Sequence, residues 1–269
     1  MDERTIELMG DEAARANLPA HEFDRDWIRA HLADERRTSS ILGEIREAIF
    51  GAQDGLVSTV AVVSAATGAT GDRFTVLVAG IAAALAGVFS MAAGEFMSSK
   101  SQREIFEAQI VGEREEVEER PGEAQAEVAY MLEEDGLPRS SATEVARIMA
   151  EHPEVMLKTM VEKELGLSGE DTEAGPLQGA IVMGAAFGLG ALVPVIPYLL
   201  LDMRIATLVS LLATGAVLFA VGVVKSRWTR RDWIRSGVEI LAIGAFAGIA
   251  GYFFGNLLPV LLGVSVPSV

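Results

Sequence analysis

The chain has 269 residues, half of them hydrophobic, a mean hydropathy of +0.32 and a formal net charge of -16. Such a charge excludes a nucleic-acid binder, which needs a basic footprint, and the lack of cysteine excludes disulfides, zinc–thiolate sites and iron–sulfur clusters. High hydropathy and high charge coexist because they are segregated: residues 1–40 hold 10 acids, residues 95–175 hold 21, and the other 148 residues hold only 7.

Residues 1–20 are charged and lack the apolar stretch of a secretory leader, so the first span is the expected targeting signal. Residues 22–40 alternate charges at helical spacing, with Phe23, Trp27 and Leu32 as a weak apolar face, and read as a solvated or interfacial helix. Five stretches then reach the roughly 20 apolar residues that cross a bilayer. They lie near 48–70, 74–97, 176–201, 205–224 and 236–262. Small-xxx-small pairs recur in them at Gly51/Gly55, Gly184/Gly188, Gly244/Gly248 and Gly251/Gly255, and the glycine-rich faces are the expected place for a dimer axis. Pro194 and Pro197 are expected to kink the third span.

Five bases between Lys225 and Arg235 mark the loop between spans four and five as cytoplasmic, with Trp228 and Trp233 at the interface. Five spans then place the N-terminus and residues 98–174 in the cytoplasm and the C-terminus outside. The expected fold is an all-α integral membrane protein: five transmembrane helices, with a cytoplasmic three-helix acidic domain inserted between helices 2 and 3. The expected divisions are 1–40 (N-terminal segment), 41–97 (spans one and two), 98–174 (acidic domain) and 175–269 (spans three to five).

In the acidic insert, Pro121-Gly122 and Gly136-Leu137-Pro138 predict three helices, near 95–120 as a continuation of span two, near 123–135 and near 140–166. Ser141 and Glu144 have the spacing of a capping box for the third. At 100° per residue Glu104, Glu107, Glu115 and Glu118 form one acidic stripe, with Glu113 pointing away and Glu116 and Glu119 on the flank. Like charges at this spacing destabilise a helix unless solvent, salt or a bound cation compensates. Met149, His152, Met156, Met160 and Glu164 fall on one face of the third predicted helix, as core packing or as ligands. Carboxylate oxygen suits Mg, Ca, Mn or Fe(II), and thioether sulfur favours a softer transition ion.

Asp54 lies about six residues into the first span, where a carboxylate costs about 2.5–3.5 kcal/mol on insertion scales, so it is expected either inside the bundle or at the interface. Gln53, Ser58 and Thr59 add oxygen nearby, and Met91 and Glu95 stand one turn apart in span two. Asp54, Met91 and Glu95 are therefore candidates for one ion pathway. Glu239 in span five is either paired with a base or turned inward.

The runs REAIFGAQDGLVSTVAVVSAATGA and MAAGEFMSSKSQREIFEAQI, the acidic insert and the five spans together resemble the vacuolar iron transporter family, from about residue 40 to the end. The resemblance implies a homodimer that moves Fe2+ out of the cytosol in exchange for protons, with no prosthetic group and no enzymatic activity. It implies soluble ligands Glu104, Glu107, Glu115, Glu118, Met160 and Glu164, and pathway residues Asp54, Met91 and Glu95. One departure is Met160-Val161, where family members can show two adjacent methionines. The expected partners are the lipid bilayer, divalent metal ions, protons and a second copy, with no nucleic acid. Rival readings are an Mn2+ or broad divalent exporter, and a non-transporting metal-regulated sensor or interaction protein. A membrane ferroxidase would want paired Glu-xx-His motifs, and none is present. Eighteen arginines against four lysines suggest a GC-rich microbial genome, and from it a plasma membrane.

Overall fold

A computed structural model describes residues 23–166 and 175–262; expectations for 1–22, 167–174 and 263–269 lie outside the described residues. The described residues form eight helices and no strand: α1 (Arg25–Ala69), α2 (Arg73–Glu119), α3 (Pro121–Glu134), α4 (Arg139–Ala150), α5 (Pro153–Lys163), α6 (Pro176–Leu200), α7 (Met203–Thr229) and α8 (Trp233–Leu261). Five of them, α1, α2, α6, α7 and α8, are long and apolar enough to cross a membrane. The chain divides into two compact units at Arg46/Glu47. In the first, Trp27 stacks on His31 with ring centroids 4.8 Å apart, and Asp24 caps the helix start by accepting from the amide of Trp27.

In the second unit the spans meet through glycine. A Cβ on Gly51 would stand 2.5 Å from the carbonyl oxygen of Met183, and one on Gly55 2.2 Å from that of Phe187, so α1 crosses α6 backbone to backbone. Gly190 returns the contact, at 2.4 Å from the Ala52 carbonyl. Gly251 and Gly255 press α8 onto the carbonyls of Ala61 and Ala65, and Gly184 seats α6 against Ala92 of α2. These faces, expected to carry a dimer axis, are filled within one chain; without a hydrophobic driving force in lipid, close backbone approach is what joins helices. Exposed apolar side chains such as Phe74, Leu85 and Phe89 on α2 lie on the outer surface, as lipid-facing residues do.

Pro194 and Pro197 both sit inside α6, which continues through them as one helix. The α1–α2 and α6–α7 turns lie at one end, where the Arg73 guanidinium donates to the Leu201 carbonyl at 3.1 Å. Asp72 caps α2, accepting from the Thr75 amide at 2.9 Å, and Asp232 caps α8, accepting from the Arg235 amide at 2.8 Å.

Helix α2 does not stop at the span. Its 47 residues extend about 70 Å at 1.5 Å per residue, carrying the chain from Asp72 into the acidic region. There α2 to α5 bury a small apolar core of their own, built on Val117, Ala124, Val128, Leu132, Ala142, Ala146, Met156, Leu157 and Met160. Gly136, at φ +103°, makes the turn out of α3. The single helix expected over 140–166 is two, α4 and α5, because Pro153 opens a new helix after His152. The face drawn through Met149, His152 and Met156 is thereby divided: Met149 stands in the last turn of α4, His152 is the exposed N-cap of α5, and Met156 and Met160 are buried. The capping box is absent as well. Pro138 occupies the cap of α4 with no side-chain bond, and Glu144 pairs with Arg147 instead. A methyl group added at Gly112, mid-helix in α2, would meet nothing within 4 Å. Gly112→Ala should therefore raise stability by about 1 kcal/mol, the propensity difference, read as a higher denaturation midpoint; a loss would mean this surface is covered.

Candidate metal centre

Val117 fixes which side of α2 faces the acidic core. Glu113 lies one turn before it and Glu116 one residue before it, so both carboxylates reach the edge of that core half-buried. On α3 the same logic applies to Glu127, next to buried Val128 and one turn from Ala124. Glu164 follows α5 as its C-cap, one turn after Met160. The helices thus converge five carboxylates: Glu113, Glu116, Glu123, Glu127 and Glu164.

Carboxylate oxygens of Glu116, Glu123 and Glu127 lie within 4.8 Å of one another. That spacing lets one ion at about 2.0–2.6 Å touch all three. Arg120 is the nearby base: its guanidinium donates to Glu116 Oε2 at 3.0 Å and to Glu123 Oε2 at 2.8 Å. Glu116 Oε1 and Glu113 Oε2 remain buried with no donor. A buried carboxylate oxygen without a donor is unfavourable unless a proton or cation reaches it.

The electrostatics agree. Burial, then the carboxylates of Glu164 and Glu116, push Glu113 above its ordinary range. Burial, a close approach to Glu116 and the charges of Glu164 and Glu123 push Glu127 up to about 7. A divalent ion held there would displace the protons and relieve this repulsion.

A pH dependence follows. The folded Glu127 titrates near 7 against an ordinary 4.5, so its neutral form favours the fold. That contribution is complete below about 4.5 and is lost as pH rises through 7. Glu144, lowered by its hydrogen bond and charge pairing with Arg147, acts oppositely but only at still lower pH. Metal-free protein in chelator should melt at a lower temperature at pH 8 than at pH 5.5, and divalent metal should restore it most at pH 8. An equal or higher metal-free melting temperature at pH 8 would refute this.

The residues named from the stripe and the resemblance are distributed differently. Glu164 joins the cluster through Glu113. Met160 is fully buried in the apolar core. Glu104 and Glu107 are exposed on α2, paired with Lys100 at 3.7 Å and Arg103 at 2.9 Å. Glu115 and Glu118 are exposed too. Sequence reasoning did not select Glu113, Glu116, Glu123 and Glu127, though Val117 among the glutamates was the available signal.

In the membrane, Asp54 is half-buried on α1 between the two glycines that touch α6. Its carbonyl accepts from Ser58 Oγ at 2.6 Å. Met91 and Glu95 are half-buried on α2, and Glu95 accepts from Ser99 Oγ at 2.7 Å. The Phe187 carbonyl faces Gly55 and its ring covers Gly87, so α1 and α2 flank one stretch of α6. Glu239 is exposed on α8, not turned inward.

The model of the VIT family matches residues 45–256, which take in the spans and the acidic helices alike. The chain belongs to the VIT family. It is 33% identical over 246 residues to "Vacuolar iron transporter 1" of Arabidopsis thaliana, covering 91% of this chain and 97% of that one. It is 28% identical over 268 residues to "Vacuolar iron transporter" of Toxoplasma gondii, covering 96% and 87%. It is 28% identical over 223 residues to "Protein CCC1" of Saccharomyces cerevisiae, covering 80% and 69%. As a VIT-family member the chain is a metal-ion transporter and not an enzyme. The plasma-membrane expectation does not hold: the Arabidopsis thaliana and Toxoplasma gondii relatives are named for the vacuole, and an arginine-to-lysine ratio reflects genome composition, not membrane address.

Proposed function

We propose that this chain exports Fe2+ from the cytosol in exchange for protons. The observation that carries the reading is α2 itself. One unbroken helix bears Met91 and Glu95 in the span and Glu113 and Glu116 in the carboxylate cluster, with orphaned oxygens at the cluster end. About 27 Å of helix separates Glu95 from Glu113, and Glu104 and Glu107 stand between them. The cluster concentrates and holds the cation, the exposed glutamates of α2 pass it along, and Met91, Glu95 and Asp54 admit it to the membrane. Met160 and Glu164 border the holding site, and Glu115 and Glu118 add to the negative field around it. Protons displaced by metal, and regained when it leaves, couple the two flows.

The acidic helices and the N-terminus are cytoplasmic in this reading, on the side of the Lys225–Arg235 loop. The working unit is a homodimer, which crosslinking in lipid tests. A second reading, Mn2+ or broad divalent export, is favoured by one observation: the cluster offers oxygen only, with Met160 sealed in the core. Uptake of Fe(II), Mn(II), Co(II) and Zn(II) into proteoliposomes under an imposed pH gradient tests both. Fe(II) uptake that follows the gradient supports export by antiport, and equal rates for Mn(II) support the broader substrate. Binding without flux of any ion in folded protein means a sensor or interaction protein instead.

A further inference from the structure

Hydroxyls in these helices have a default outlet. Ser58 on α1 donates to the Asp54 carbonyl at 2.6 Å, and Thr207 on α7 to the Met203 carbonyl at 2.8 Å, each four residues back. Thr59 and Thr214 do not take it. Thr59 is 0% exposed and Thr214 2%, and neither hydroxyl has a hydrogen-bond partner. Two unrelated contacts give the register of α1 on α7. Leu56 packs in one cluster with Leu218, and Tyr198 Oη bonds both Thr67 Oγ1 at 3.1 Å and Thr207 Oγ1 at 3.2 Å. The helices run antiparallel, and three residues on from Leu56 the register brings Thr59 level with Thr214. Two buried hydroxyls without a hydrogen-bond partner, one on α1 and one on α7, therefore stand at one depth in the bundle. Thr207, Ser210 and Thr214 share a face of α7, and Ser210 Oγ donates to the Pro194 carbonyl at 2.7 Å inside the same seam.

A buried hydroxyl without a protein partner is a place for water, which needs two or more polar partners and supplies what the hydroxyl lacks. We propose that Thr59 and Thr214 bind water in the centre of the bundle, and that the hydroxyl seam from them through Ser210 to Thr67, Tyr198 and Thr207 conducts the protons exchanged for metal. This rests on the antiport reading above. In this proposal bound water carries the proton between hydroxyls that do not bond one another directly, and at each hop one O–H bond forms on an oxygen as another on that oxygen breaks, so the seam gains and loses no proton overall. It leads to the end of the bundle bearing the α1–α2 and α6–α7 turns.

The test uses full-length protein in proteoliposomes with an internal pH reporter and an Fe(II)-quenched dye. Thr59→Val/Thr214→Val keeps the shape and removes both hydroxyls; Thr59→Ser/Thr214→Ser keeps the hydroxyls. The valine pair should lose Fe(II)-driven proton flux while its Fe(II) binding is unchanged, and the serine pair should behave as wild type. Tyr198→Phe, which breaks the far end, should lose the same flux and decides the matter if the valine pair does not fold. Wild-type Fe(II) flux without proton flux overturns the antiport reading and this proposal with it. Coupled wild type with equally coupled valine pair and Tyr198→Phe overturns the seam alone.

Discussion

Glu113→Gln/Glu116→Gln/Glu127→Gln should lose tight metal binding and, in chelator at pH 8, melt at a higher temperature than wild type. The two effects have one cause. These carboxylates are held together against their mutual repulsion, Arg120 bonds Glu116 among them, and two of their oxygens are buried without donors. Glutamine keeps the shape and removes the charge. Loss of even outer-shell partners weakens metal sites by about 10–100-fold, so neutralising two ligands, Glu116 and Glu127, together with the neighbouring Glu113 should exceed about a hundredfold. Wild type at a metal concentration of about a hundred times Kd gains about 2.7 kcal/mol of stability, and the variant should gain less than about 0.4 kcal/mol. Glu104→Gln/Glu107→Gln, which alters two exposed groups already paired with Lys100 and Arg103, should keep tight binding. Calorimetric titration and metal-dependent melting read both; tight binding surviving in the triple variant, and failing in the double, would move the centre to the outer stripe.

The second large effect is structural. Gly55→Val places a Cβ 2.2 Å from the Phe187 carbonyl oxygen, a backbone atom that cannot swing away. Overpacking a core costs about 1–3 kcal/mol where side chains can adjust, and here α1 and α6 themselves must separate. The expected outcome is little or no monodisperse protein after detergent extraction. Gly112→Ala on the same criterion meets nothing and should extract normally, so general intolerance of glycine replacement is controlled for. Normal yield and melting of Gly55→Val would show that the α1–α6 crossing is looser than described.

The sequence made the spans legible because hydrocarbon demands length and apolarity together, which few segments satisfy by chance. The third span, expected near 176–201, is Pro176–Leu200, and the fifth, near 236–262, is Trp233–Leu261. The continuation of α2 was legible too, since the helix expected over 95–120 as an extension of span two is the polar end of α2, to Glu119, on residues that still favour helix; the joining of the leading helix to span one as a single α1, Arg25–Ala69, was not, because hydropathy ends where lipid ends. Pro153 was visible in the sequence and still lost to the apolar periodicity running across it. The acidic stripe failed to locate the cluster for a different reason. A helical wheel groups glutamates by angle but is silent on which angle faces the neighbours. That is set by Val117 packing on Ala124 and Val128, partners brought in by the turns at Pro121 and Gly136. Glu123 and Glu127 come from a second helix, so no single-helix pattern contains them.

Proton-driven Fe(II) flux in proteoliposomes containing wild type or Asp54→Ala, with Fe(II) binding measured on the same preparations, tests the central claim most directly. The account predicts gradient-dependent uptake by wild type and none by Asp54→Ala, with Fe(II) binding at the carboxylate cluster equal in both. Wild-type flux through Asp54→Ala protein would contradict it.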